Sequence, residues 1–359
     1  MDRSTRLVQL GAAESGAKWA QWRSPSDMVH GVRLVIPGRA YLNDFERFLR
    51  NFENDGSDDF TLVIPPHLFS LHPLATSMIA SEAISTITRG AGVRVEGLAA
   101  TASTRYLERM GLFELMGVDS GIAVTAHEPA GRFVPLRRIR TNDELNDFVV
   151  DVVPLLHAQP GEAAAVKYVL YELVRNVLEH ARTRDGAVVS AQVVPRDGRL
   201  LIGVADSGVG LRASLARSHP VTSDRGAMRL AFRPGVTGVT RRLGGNETNG
   251  GAGLFFMKAI AQVAQNYLVA ISGGTMFKLL THRVPPTVIA GDIESDRATW
   301  RDLDVFWDGT AVGIDLAVTD DRTFSNLLGV IRGVYGVDVS GQRKEMARAR
   351  FGPRREASA

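Results

Sequence analysis

The chain has 359 residues, which is more than one compact core usually needs, so we expect two domains and their connections. Apolar residues make up 45% of the sequence and charged residues 23%, an ordinary balance that excludes wholesale disorder. The formal net charge of +3 is too small to imply a nucleic-acid partner by itself.

The sequence contains no cysteine, which excludes disulfides, thiolate metal sites and cysteine nucleophiles and fits a reducing compartment. No stretch approaches the ~20 apolar residues that a membrane helix needs. The first residues also lack the long apolar segment of a secretory signal. We therefore expect a soluble, cytoplasmic protein with no membrane partner.

The first block, residues 29–118, alternates predicted strands with predicted helices. Short apolar runs predict strands at 32–37, 60–65 and 93–98, and apolar residues at helical spacing predict helices at 41–52, 74–87 and 104–117. This alternation is typical of a small α/β domain. We interpret residues 1–28 as an N-terminal extension and residues 119–140, which contain Gly, Pro and Arg, as a linker.

The second block, residues 141–318, opens with a helix cap followed by acidic residues. Helices are predicted at 142–157, 162–183 and 253–265, and strands at 267–272, 275–281 and 310–317. Two alternating apolar runs, AVVSAQVVP and LLIGVAD, are joined by Arg196-Asp197-Gly198 and predict a hairpin. We expect residues 319–359 to form a C-terminal helix and a basic tail.

Three polar side chains lie along one face of the helix predicted at 162–183. Glu172, Asn176 and His180 stand at i, i+4 and i+8, while most other positions are apolar and can bury the helix. By itself this stripe is also compatible with a solvated helix face on which the three side chains pair with one another.

Two glycine-rich motifs follow the stripe. The second hairpin strand ends in DSGVG, where a buried Asp206 can accept a hydrogen bond from an exocyclic amine such as that of adenine. The segment NGGAGL then opens an apolar helix, and backbone N–H groups at a helix start suit phosphate oxygens. Each motif alone is a weak signal, because a simple turn explains it equally well.

In this order the three elements resemble the motifs of the GHKL ATP-binding superfamily, which includes gyrase B subunits, heat-shock chaperones, histidine kinases and mismatch-repair ATPases. ELVRNVLEH resembles the N box, VADSGVGL the first glycine box and NGGAGLFFMKAIA the second. Residues 212–250, too long for an ordinary connection, stand where that family has its ATP lid. The resemblance predicts an α/β sandwich in which helices back a mixed sheet, with ATP and Mg²⁺ as cofactors. The sequence has no GxxxxGK[ST] motif, so it is not a P-loop protein.

The resemblance implies a role for each motif residue. Asn176 would ligate Mg²⁺, and Glu172 would act as the catalytic base beside the γ-phosphate. Asp206 would read the adenine amine. The other implied nucleotide contacts are Gly208, Gly210, Gly251, Gly253, Leu254, Thr310 and His180.

Three of these assignments stay open. His180 either orients a phosphate or caps the helix. Thr310 and Thr275 are alternatives for the Thr that shares a water with Asp206 in the family, and we favour Thr310 because it starts a Gly-Thr strand. Arginines of the lid suit phosphates, although most loop arginines are solvated. The candidates for such contacts are Arg225, Arg229, Arg233, Arg241 and Arg242.

The first block resembles a STAS-type domain, the fold of anti-anti-sigma factors. The resemblance is clearest in VRVEGLAATASTRYLERMGLFELMGV, which is similar to that family's final strand and helix. The turn at Phe69–Leu74 has Ser70 as its only hydroxyl and lacks the acidic residue and Gly that surround the family's phosphorylatable Ser. This departure favours a degenerate docking module over a phosphorylation switch.

Three hypotheses for the function remain. The first is an ATP-dependent regulatory switch with slow ATP hydrolysis, and the second is an anti-sigma-type serine kinase acting on a STAS-domain partner. The third is a non-catalytic, ATP-gated interaction scaffold. Each implies a protein partner, and a homodimer is possible. No helical hairpin surrounds His127 or His157, which disfavours a sensor histidine kinase, and nucleic-acid binding would rest on the basic tail alone.

Overall fold

A computed structural model of the chain describes residues 31–54, 56–124, 133–155, 163–194, 199–236, 253–263, 265–281, 292–317 and 333. We call residues 31–124 the first unit and residues 133–317 the second unit. The predicted N-terminal extension and, apart from Gly333, the predicted C-terminal helix and tail lie outside the described residues. Within the described part of the chain, no helix is long and apolar enough to cross a membrane.

The first unit contains a four-stranded sheet and a two-stranded one. Its strands are β1 (Val32–Val35), β2 (Arg39–Ala40), β3 (Phe52–Asn54), β4 (Phe60–Val63), β5 (Ser70–Leu71) and β6 (Val93–Glu96). The larger sheet has the order β3-β1-β4-β6, in which β1, β4 and β6 are parallel and β3 is antiparallel to β1. The parallel strands confirm the α/β class predicted from the alternation of elements.

The helices of the first unit are α1 (Glu46–Leu49), α2 (Pro73–Thr88), α3 (Ala102–Arg109) and α4 (Leu112–Leu115). Two predicted helices are shorter than expected. The helix predicted at 41–52 ends early, because the Asn51 side chain donates to the Val35 carbonyl at 2.7 Å and the chain continues as β3. The helix predicted at 104–117 is divided at Gly111, whose φ of 77° is left-handed.

The second unit is a five-stranded antiparallel sheet with helices on one face. Its strands are β7 (Phe133–Ile139), β8 (Ala187–Val194), β9 (Arg199–Ala205), β10 (Leu268–Leu279) and β11 (Ala298–Ala317), in the order β10-β11-β9-β8-β7. Its helices are α5 (Asn142–Leu155), α6 (Ala163–His180), α7 (Gly210–Leu215), α8 (Asp224–Ala231) and α9 (Gly253–Val263). The pairing of β8 with β9 confirms the predicted hairpin.

The sheet of the second unit differs from the prediction in three places. Strand β7 lies inside the predicted linker at 119–140, where Pro135 and two arginines hide the alternation, and an edge strand tolerates such a proline. Strand β10 runs through Gly273 and Gly274 as a single element with bulges rather than as two strands. Strand β11 begins at Ala298, well before the predicted start at 310.

Helix α2 forms the layer between the two sheets. Twelve of its sixteen residues are buried. Strand residues Gly203 and Gly313 leave room for it, since an added Cβ at Gly203 would overlap the backbone of Pro73 and Leu74. The Ser77 hydroxyl donates to the Gly203 carbonyl at 3.1 Å. The two units therefore share one continuous core, formed on the sheet face opposite to α5, α6 and α9.

Candidate functional site

Helix α6 holds the predicted polar stripe at the edge of the core. Apolar neighbours such as Val169, Leu170 and Val174 are completely buried, which fixes the rotation of the helix. Glu172 and Asn176 are half-buried on its other side. The Asn176 side-chain nitrogen is buried, and the described residues provide it with no hydrogen-bond partner. Such an orphaned buried group is rare in folded proteins and needs an explanation.

The start of α9 lies against this stripe. A Cβ added at Gly253 would overlap the Oε2 atom of Glu172 and would lie 3.3 Å from the Nδ2 atom of Asn176. The absence of a side chain therefore lets the helix start approach both groups. Leu254 packs against the core cluster beside it, while Gly251 lies outside the described residues. The structure thus brings Glu172, Asn176 and Gly253 together.

Asp206 follows β9 and is almost completely buried, with 1% of its surface exposed. Its Oδ1 atom accepts from the Gly208 N–H at 2.8 Å, and its Oδ2 atom accepts from the Thr310 N–H at 3.2 Å. Burial raises the pKa of Asp206 to about 7, against the opposing effect of these two hydrogen bonds. The carboxylate is therefore held in one orientation by two elements.

The glycine turn after Asp206 lies on the C-terminal end of α6. A Cβ at Gly208 would overlap the carbonyl oxygen of Ala181, and the Val209 N–H donates to that same oxygen at 2.9 Å. Gly210 has a left-handed φ of 73° as the chain enters α7. The turn thereby connects the helix of the polar stripe with the buried carboxylate.

Residues 140–272 match the family model of the histidine kinase-like ATPase domain. The match includes α6, the Asp206 turn and α9, and it confirms the GHKL-type, ATP-binding domain predicted from the three motifs. It does not reach the first unit, whose resemblance to STAS domains remains a prediction. No curated protein matches the chain.

Beyond the matched range, the structure places Thr310 next to the Asp206 of the ATPase domain. The Asp206 N–H donates to the Thr310 carbonyl at 3.0 Å, in addition to the bond between the Thr310 N–H and the carboxylate. Thr275 is instead opposite Asp302 on β11. Of the two candidates, Thr310 is therefore the one that contacts Asp206.

Sequence reasoning missed two side chains that support this part of the ATPase domain, those of Ser272 and Trp307. The buried Ser272 hydroxyl donates to the Gly309 carbonyl at 2.7 Å and accepts from the Leu211 N–H at 2.9 Å. The Trp307 indole donates to the Asp206 carbonyl at 3.2 Å. The available signal was the Asp-Gly pair at 308–309 inside an apolar alternation, because a glycine within a strand often marks a bulge.

Burial shifts the pKa values of the two ionisable groups in the polar stripe of α6. It raises the pKa of Glu172, with Glu179 adding to the rise and Arg175 opposing it. It lowers the pKa of His180, whose Nε2 atom is 3.9 Å from a Glu179 carboxylate oxygen that favours the charged ring. The neutral imidazole is therefore favoured near neutral pH, so His180 does not provide a permanent positive charge.

The described part of the lid contains α7 and α8, and the chain from 237 to 252 lies outside the described residues. Two of the candidate arginines make side-chain contacts with other parts of the protein. Arg225 stacks over the Trp300 ring at 4.8 Å, and Arg229 pairs with Asp292 and, at 2.9 Å, with Glu294. The first contact joins α8 to the start of β11, and the second joins it to the β10–β11 connection. Arg241 and Arg242 are outside the described residues.

Proposed function

We propose that the protein binds Mg·ATP in its histidine kinase-like ATPase domain and acts as an ATP-dependent regulatory switch with slow ATP hydrolysis. The observation that carries the proposal is the contact of the α9 start with Glu172 and the orphaned amide of Asn176. A carboxylate, an amide and the N-terminal end of a helix are the groups that a metal-bound triphosphate requires.

Asp206 would recognise the base. Each carboxylate oxygen accepts one backbone N–H and retains a lone pair for a second donor, which the exocyclic amine of adenine supplies. Because the group is buried, a correctly placed amine is worth more there than in water. Thr310, bonded to the same carboxylate, would lie beside the base.

Asn176 and the start of α9 would hold the phosphates. Rotation of the Asn176 amide about χ2 exchanges its nitrogen and oxygen, so the buried end can present an oxygen ligand to a hard cation. Asn176 would thus help to hold Mg²⁺, which would supply positive charge that offsets the charge of the phosphates. The N–H groups at the first turn of α9 would donate to the same phosphates, because Gly253 leaves the approach open.

Glu172 would accept the proton of the attacking water at its carboxylate. A general base works best when its pKa is near the working pH, and burial moves the pKa of Glu172 in that direction. The same carboxylate suits an acceptor hydroxyl of a protein, which is why the serine-kinase hypothesis differs only in the acceptor. The start of α2 in the first unit is buried against the opposite face of the sheet, so the serine-kinase hypothesis places the acceptor on a STAS-domain partner.

The proposal is tested by comparing the wild-type protein with Glu172→Gln and, as a matched control, Glu179→Gln on the exposed side of the same helix. Calorimetry with Mg²⁺ and a non-hydrolysable ATP analogue should give binding for all three proteins. Phosphate release should fall at least about 100-fold in Glu172→Gln only, since general-base catalysis contributes that much.

Three outcomes would lead to other conclusions. Indifference of the wild-type protein to millimolar nucleotide would remove the whole proposal. Transfer of label from ATP to a second protein would favour the serine kinase, and binding without turnover over hours would favour the ATP-gated scaffold. Full turnover by Glu172→Gln would remove Glu172 from the reaction.

A further inference from the structure

Strand β11 carries a bulge directly beside Asp206. Thr310 is opposite Ser272 on β10, but the next pair joins Trp307 to Gly273, so residues 308 and 309 are additional on β11. Gly309 has a φ of 99°, and a Cβ there would overlap the Asp206 carbonyl oxygen. Bulges bend a strand and change the direction of a side chain. Here the bulge brings the Trp307 ring to Asp206.

A side-chain hydrogen bond joins the Trp307 indole to the Asp206 carbonyl. The ring is buried, and its Nε1 atom donates to that oxygen at 3.2 Å. The carboxylate of the same residue is fixed by the N–H groups of Gly208 and Thr310. The backbone and the side chain of Asp206 are therefore held from two directions. Removal of the indole donor would leave the Asp206 carbonyl without this bond, while the Asp206 N–H keeps its bond to the Thr310 carbonyl.

The first unit supports the Trp307 ring from the other side. The ring of Phe52 meets it edge-on, with centroids 6.3 Å apart and an interplanar angle of 82°. The ring centroids of Phe52 and Phe48 are 5.3 Å apart, and those of Phe48 and Phe45 are 5.1 Å apart. This row of three phenylalanines belongs entirely to the first unit and ends at the residue that bonds to Asp206.

We propose that Trp307 is a positioning residue for Asp206, and that the first unit, through Phe52, contributes to adenine recognition by the ATPase domain. The inference rests on the proposed function, because it requires Asp206 to read the adenine amine. An acceptor that is fixed before binding loses less freedom when the ligand arrives. The first unit thus acts on the base end of the site, although it lies on the opposite face of the sheet from α6 and α9.

The decisive variant is Trp307→Phe, which keeps an aromatic ring against Phe52 and removes the N–H donor. Binding of ATP and of purine riboside triphosphate, which lacks the exocyclic amine, is measured with Mg²⁺ by calorimetry. The wild-type protein should prefer ATP. In Trp307→Phe the ATP affinity should fall about three- to tenfold, as for one lost hydrogen bond, while the affinity for the analogue stays unchanged.

A second variant tests the link to the first unit. Phe52→Leu removes the edge-on contact and should lower the ATP affinity about twofold, again without affecting the analogue. Phe113→Leu is the matched control, because Phe113 is buried in the same cluster on α4 and lies outside the phenylalanine row. It should leave both affinities unchanged. If Trp307→Phe fails to fold, the comparison of Phe52→Leu with Phe113→Leu decides whether the first unit affects ATP affinity through Trp307.

Parallel weakening of both nucleotides, or an unchanged preference for ATP in the variants, would overturn the positioning role. So would a wild-type protein that binds ATP and the analogue equally. Failure of the proposed function gives a different result, since the wild-type protein would then bind neither nucleotide.

Discussion

The two faces of the sheet in the second unit differ in how their buried polar groups are hydrogen-bonded. On the face covered by α6 and α9, the Asn176 nitrogen has no partner among the described residues, and burial raises the pKa of Glu172. On the face covered by α2, buried polar groups are paired. Ser77 and Ser190 are 3.2 Å apart, and the His72 ring bonds to Asp315 at 3.1 Å.

Both ring nitrogens of His72, on the face covered by α2, have hydrogen-bond partners. The Nδ1 atom of His72 accepts from the Leu74 N–H at 2.9 Å, so the proton of a neutral ring is on Nε2 and is donated to Asp315. Buried polar groups cost free energy unless they are hydrogen-bonded. The paired groups therefore specify how the units dock. Buried side-chain atoms of Gln262 and Asn266 also have no partner among the described residues, so the orphaned nitrogen of Asn176 does not mark a site by itself. A ligand is expected there because Asn176 also lies beside Glu172 and the start of α9.

The largest effect is expected from Gly203→Leu, which breaks the α2 face. The new side chain would overlap the backbone of Pro73 and Leu74, which no change of rotamer can relieve. We expect a loss of at least about 4 kcal/mol in the free energy of unfolding, measured by urea titration. Gly274→Ala is the control, because its Cβ would make only an ordinary 3.6 Å contact with Asp224. Equal stability of the two variants would contradict the tight docking of α2.

The next largest effect is the pH dependence of stability that Asp206, on the ligand-binding side, should cause. Its pKa of about 7 in the folded protein lies above the ordinary 3.8, so the folded state keeps a proton that the unfolded chain loses. Stability should therefore fall as the pH rises from about 4 to about 7. Between pH 5 and pH 8 we expect a contribution of roughly 2–3 kcal/mol that is absent from Asp206→Asn.

The measurement is urea unfolding of wild-type protein, Asp206→Asn and the control Asp304→Asn, an exposed carboxylate on β11. The control should follow the wild-type pH profile. The idea fails if Asp206→Asn also has that profile. A protonated Asp206 also accepts less well, so ATP affinity should decrease as the pH falls below about 7.

The sequence predicts the features of the ligand-binding face better than those of the face covered by α2. The motifs on the ligand side are local, since an i, i+4 stripe and a glycine turn after a strand are visible in a few residues. The α2 face depends on contacts such as that between His72 and Asp315, which are 243 residues apart in sequence. No local pattern reports such a pair. The STAS resemblance of the first unit remains a prediction, and it did not indicate which surface α2 covers.

The strand errors have a similar physical origin. Pro135 and its neighbouring arginines hide β7, which is an edge strand and needs fewer apolar residues. The glycines at 273 and 274 suggested a turn between two strands, whereas they form the irregular part of one strand opposite the β11 bulge. Trp307 was missed for this reason, because its contact with Asp206 exists only when the bulge forms.

Gly253→Ala should affect the ligand side alone. The new Cβ would meet the flexible end of Glu172 rather than backbone, so the fold should accommodate it without loss of stability. Displacement of Glu172 and Asn176 should weaken Mg·ATP binding about tenfold, the scale of one charge-assisted hydrogen bond. Gly92→Ala is the control, since its Cβ would be 3.0 Å from the Asp59 carboxylate in the first unit. Unchanged nucleotide affinity in Gly253→Ala would separate α9 from the phosphates.

The smallest effect is expected from Ser77→Ala on the α2 face. The variant loses the bond to the Gly203 carbonyl, but Ser190 keeps Thr76 at 3.3 Å and the Pro73 carbonyl at 3.2 Å as partners. The free energy of unfolding should therefore fall by about 1 kcal/mol, with nucleotide affinity unchanged. A double-mutant cycle with Ser190→Ala should show a coupling of about 0.5 kcal/mol or more, because the two hydroxyls are in contact. Additive effects would mean that these hydroxyls act independently, and the α2 face would then be held by shape and apolar burial rather than by a connected polar network.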